Sequence, residues 1–171
     1  SYLVAQATEE WAWNHLPPQN NRGPQNSFTQ EHIATNPQMA AEVIYAGGGN
    51  FVALIRDEIV VKRFVSGLSR QVLTDAPGLQ ILIDSSTFDW QTQSLVCAIR
   101  NAFERLGAEK RKRSQTAPLL GLGVTVPCQG TGLPAVGWVK PTDAADENGY
   151  PASAEICEKL RNVQAANDKL A

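Results

Sequence analysis

The chain has 171 residues, 43% hydrophobic and 19% charged, and its 15 Lys and Arg against 17 Asp and Glu leave a net charge of −2. This suits one globular domain able to bury roughly 70% of its unfolded surface. It lacks the basic excess that would mark a dedicated DNA or RNA coat, without deciding for or against nucleic acid. Cys97, Cys128 and Cys157 are widely separated, with no CxxC or Cys/His cluster, so neither a disulfide framework nor a structural zinc site is supported; a reducing, cytoplasmic setting is expected. No apolar run approaches the ~20 residues that span a bilayer, so no membrane partner is expected.

In chain order, residues 2–14 place Leu3, Ala7 and Trp11 at helical spacing. The opening Ser-Tyr-Leu-Val already reads as the inside of a helix, so the chain is expected to be a fragment or to lack an N-terminal part. Residues 17–37, PPQNNRGPQNSFTQEHIATNP, form a long Pro-, Asn- and Gln-rich loop that reads first as tolerated surface. Val43–Ala46 and Phe51–Ile55 are rich in β-formers on either side of Gly47-Gly48-Gly49-Asn50, which predicts a hairpin. Residues 58–74 carry Val61, Phe64, Val65, Leu68 and Val72 on one stripe of a helix that Pro77-Gly78 stops.

LQILID at 79–84 reads as a buried strand, and 91–107 as a helix with Leu95, Val96, Ile99, Phe103 and Leu106 inward and Gly107 as its C-cap. LLGLGVTV at 119–126 reads as a further strand. Four prolines and four glycines make 127–152 irregular. A final helix over 153–170 starts at Ser153 as N-cap, with Glu155 in its first turn. With one strand placed in front, the first part reads βαββαβ: an α+β, ferredoxin-like sandwich with helices on one face of an antiparallel sheet.

A Gly-Gly tip between the second and third strands of such a fold resembles the palm domains of nucleotide polymerases and cyclases. The stretches IYAGGGNFVALI, RQVLTDAPGLQILI, TGLPAVG and SAEICEKL, within 42–90 and 119–160, resemble the palm of the large subunit of type III CRISPR–Cas effector complexes, whose tip reads GGDD. The GGDEF cyclases are more distantly similar. The resemblance implies a palm over 1–126, with 127–171 as an irregular segment and C-terminal helix packed on or beside it. It also implies antiviral defence in a prokaryote, with other protein subunits or a second palm as partners.

In active palms of that family two divalent ions assist attack of a 3′-hydroxyl on an α-phosphate, held by an Asp of the first strand and the acidic pair of the tip. Gly47 and Gly48 match the two glycines, whereas Gly49 and Asn50 stand where both aspartates belong. Glycine offers no ligand and a neutral amide only one weak oxygen. Asp57 and Glu58 lie seven and eight residues past Asn50, over ~20 Å along a strand, too far to replace them. Asp84 and Asp89 suit capping or turn roles.

The expectation is therefore a degenerate palm with no catalytic or metal-binding residue in this chain. Gly47, Gly48, Gly49 and Asn50 are the candidate contacts for nucleotide or RNA, and ATP is a candidate ligand. Magnesium enters only if acids come from elsewhere. Two alternatives stand beside it: an active metal-dependent nucleotidyltransferase or cyclase completed by a missing segment or partner, and a purely structural domain whose glycines only serve the turn.

Lys110, Arg111, Lys112 and Arg113 form a candidate phosphate-contacting patch, against the plainer reading of a solvated helix end. His15 and His32 lack ligand-like company. Trp90 reads as closing over the core, and Ser85 and Ser86 lack the setting of a hydrolase nucleophile.

Overall fold

The computed structural model describes residues 2–24, 27–112, 124–140 and 149–168. The chain is a mixed α+β protein with two compact units, one of Ser1–Leu79 and Glu158–Ala171 and one of Gln80–Cys157.

In the first unit, helical run α1 joins Tyr2–Ala5, a π-helical stretch Gln6–Trp11, and Ala12–Asn14. Strands β1 (Ala41–Gly47) and β2 (Asn50–Ile55) pair as an antiparallel hairpin, and α2 (Glu58–Asp75) follows. Asp57 caps α2, its carboxylate accepting the Ile59 N–H at 2.6 Å. The expected stripe on α2 buries Phe64, Leu68 and Val72. Phe64 stacks on Phe51 of β2 at 5.9 Å between ring centroids, and Phe51 meets Trp13 of α1 edge-on at 6.2 Å. Both helices therefore pack against the face of the hairpin that carries Phe51. Mid-helix Gly67 is where the His15 ring lies: a Cβ there would come within 2.6 Å of His15 Nδ1, and the other ring nitrogen pairs with Gln71 Oε1 at 2.8 Å.

The 17–37 stretch is bound into this unit. The buried Asn21 side chain accepts from Val43 N–H at 2.8 Å and donates to Val43 C=O at 3.0 Å, standing in for a strand residue along the outer edge of β1. Gln19 C=O accepts from Ala40 and Ala41 N–H. Glu42, also buried, accepts from Ile33 N–H at 2.7 Å and pairs with His32 at 2.8 Å. Arg56 donates to the Ile33 and Met39 carbonyls. What reads as a polar surface loop thus satisfies the edge of β1, and its polar residues are needed because buried backbone groups require partners. Among the described residues no such partner reaches the outer edge of β2.

The second unit departs further from expectation. Residues 79–84 form no strand, because apolar β-formers make a strand only where another strand pairs with them. Helix α3 spans Leu95–Lys112, so it starts later than 91 and passes through Gly107 instead of ending there. None of its residues is buried, and Val96 is 73% exposed, contrary to its expected inward place. Trp90 is 52% exposed, edge-on to Phe88 at 4.7 Å, and closes over no core.

Of the 119–126 stretch, 119–123 lies outside the described residues and 124–126 is not strand. The segment expected to be irregular instead holds a second antiparallel pair, β3 (Gly137–Val139) with β4 (Tyr150–Ala152). The final helix is two, α4 (Ala154–Arg161) and α5 (Val163–Asp168). At the join, the Asn162 amide turns back to the Glu158 carbonyl at 2.9 Å. In place of one antiparallel sheet, the described residues form two separate two-stranded sheets.

Candidate functional site

The β1–β2 connection is two residues long. Gly47 faces Asn50 across the ladder, and Gly48 and Gly49 make the turn with φ of 56° and 79°. A two-residue turn with both central residues left-handed is the kind that matches strand twist, and glycine adopts it without strain. Gly47, with φ of 153°, is also outside the range favoured by other residues. The Asn50 side chain donates to Gly48 C=O at 3.3 Å, which braces the turn. The structure brings the four predicted contact residues together in one exposed tip.

The ladder carries an irregularity that sequence patterning did not reveal. Val43 pairs with Ala53 but Tyr45 pairs with Val52, so Ile44 is an extra residue, a β-bulge. Adjacent β2 residues point to opposite faces, so Val43 and Tyr45 do as well. Val43 faces the helices and is buried, while Tyr45 is half-exposed on the other face. A Cβ on Gly47 or Gly48 would lie 3.6 or 3.5 Å from Tyr45 Oη, and one on Gly49 would lie 3.1 Å from Val4 of α1.

The donor set does not fit a two-metal centre. The tip offers one amide oxygen and backbone groups, and Glu42 and the acids weighed from the sequence have structural partners of their own. Glu42 is tied to His32 and Ile33, Asp57 caps α2, and Glu58 pairs with Lys62 at 2.7 Å. Asp84 pairs with Arg105 at 2.6 Å, and Asp89 braces a turn by accepting from Gln91 N–H and Thr92 hydroxyl. Those bonds, the Gln91 N–H first, hold the Asp89 carboxyl below its usual range. Among the described residues no three His, Cys, Asp or Glu side chains converge as an ion site.

Lys110, Arg111 and Lys112 lie in the last turn of α3, in the second unit, while the glycine tip lies in the first. Lys112 pairs with Glu109 at 2.7 Å, and that bond raises its pKa. Arg113 falls outside the described residues. Cations in the final turn offset the negative end of the helix dipole.

One cluster escaped sequence reading. Cys128 is buried in the loop before β3, beside Thr131 and the Ser153 that precedes α4; the Thr131 and Ser153 hydroxyls are hydrogen-bonded at 3.1 Å. The thiol pKa is lowered to about 6, first by the Thr131 hydroxyl and further by the Ser153 and Gly130 N–H groups, against the opposing effect of burial. Only the loop's fold assembles these groups, since residues 128, 131 and 153 follow no recognisable spacing.

No helix among the described residues is long and apolar enough to cross a membrane. Compared with known proteins, the chain matches no family model and no curated protein.

Proposed function

We propose that this chain is a catalytically degenerate palm of a large-subunit-like protein of type III CRISPR–Cas systems, acting in the prokaryotic cytoplasm. In this reading the β1–β2 tip meets nucleotide or RNA without a metal, and the module works beside other subunits or a second palm. The observation that carries the reading is the tip itself: a two-residue glycine turn bearing no carboxylate, on a hairpin whose other face is packed by the helices before and after it. The outer edge of β2, which no other described strand meets, adds support, since a ferredoxin-like sheet would extend from it.

The test is titration with ATP, with and without magnesium, followed by NMR of the Gly47–Asn50 amides. Binding that moves those amides equally with and without magnesium is expected. Strictly magnesium-dependent binding would overturn the reading in favour of an active nucleotidyltransferase completed by other acids. A scaffold role has its own supporting observation, since the Asn50 side chain braces the turn through Gly48 C=O. Absence of ATP and oligoadenylate binding would decide for it.

A further inference from the structure

We infer that Tyr45 is the platform on which a nucleobase stacks at this tip, so that the ligand is recognised by its base and not by its phosphates. This deepens the reading above and rests on it. The first observation is the bulge. In an unbroken strand Tyr45 would share the face of Val43 and point into the helices; the extra residue Ile44 turns it to the opposite face, next to the tip. A residue inserted into a ladder disrupts its pairing, and here it leaves a large aromatic ring 50% exposed.

The second observation is the ring's border. A Cβ on Gly47 or Gly48 would come within 3.6 or 3.5 Å of its hydroxyl, so glycine leaves that space free, and the hydroxyl forms no hydrogen bond with the described residues. The space beside the hydroxyl is thus free of glycine side chains, and half of the residue's surface is open to a planar partner.

The third observation is charge. Among the described residues, the side chains within 4 Å of where a Cβ on Gly47, Gly48 or Gly49 would stand are those of Tyr45 and Val4, and Asn50 reaches Gly48 C=O; none of the three is ionic. Salt-sensitive phosphate binding would need cations at the tip, and none of these side chains supplies one. Stacking on an aromatic ring needs no charge and tolerates any base.

The experiment compares the protein with its Tyr45→Phe and Tyr45→Ala variants, titrating ATP and adenosine calorimetrically at low and high salt without metal. ATP and adenosine are expected to bind alike, with little dependence on salt. Tyr45→Phe should retain affinity, whereas Tyr45→Ala should weaken both ligands by about 5- to 150-fold while its amide spectrum keeps the dispersion of the folded parent. Tyr45→Ala binding as tightly as the parent would overturn the inference and leave the degenerate-palm reading standing. Binding of ATP but not adenosine would overturn it as well, by showing phosphate recognition. Binding of neither by the parent protein would overturn both.

Discussion

The two units differ in how their helices meet a sheet. In the first, α1 and α2 close on one face of the hairpin, and Trp13, Phe51 and Phe64 join helix to strand to helix. Ala7, Leu16, Ile33, Met39, Val43 and Val72 are buried around them. In the second, α3 has a comparable amphipathic pattern, yet none of its residues is buried, and the buried apolar residues described there are Cys128, Pro151 and Ala152. An apolar stripe is only an offer of burial. Whether it stabilises depends on a complementary surface, and the 79–84 stretch that was expected to supply one is not a strand.

That contrast can be broken by paired truncation. Phe64→Ala should destabilise the first unit by about 3–5 kcal/mol, because it removes a buried ring and leaves a cavity. Phe103→Ala, at a position 42% exposed, should cost well under half as much. Urea unfolding of both variants checks it; equal losses would mean that α3 is packed as tightly as α2.

Next in size is Asn21→Ala. It leaves the buried Val43 N–H and C=O without their partners and should cost about 1–3 kcal/mol, with accelerated hydrogen exchange at Val43. An unchanged stability would show that the 17–37 stretch is a dispensable covering after all.

The second unit has its own pH signature. A cysteine whose folded pKa is about 6 binds fewer protons than its unfolded form between that value and the ordinary thiol range. Stability should therefore rise with pH from about 6 to about 9 and be lost as pH falls through the folded value. Cys128→Ala should flatten that rise, as read by thermal melts across the pH range. The smallest effect belongs to Glu58→Gln. Its partner Lys62 is equally exposed on the first turn of α2, and the change should cost no more than about 0.5 kcal/mol.

Legibility followed the range of the interactions. The hairpin and the helices at 2–14 and 58–74 were readable because they are set by side-chain period and by glycines in the turn, all local features. The four tip residues were readable for the same reason. Tyr45 was missed because a bulge leaves no mark on composition: YAG reads as ordinary strand until the partner register is known. The Cys128 cluster was missed because it joins residues 25 positions apart in sequence through a loop (128 to 153).

By itself, then, the sequence determined the α+β character, the glycine tip and the lack of acids on it, since these depend on residue type and near neighbours. Only the tertiary structure decided which strands exist. A strand is completed by a partner, and so 79–84 formed none, while 137–139 and 150–152, rich in proline and glycine surroundings, did. It also decided that Asn21 and Glu42 lie inside and Val96 outside, because burial is a property of what arrives opposite a residue and not of the residue alone.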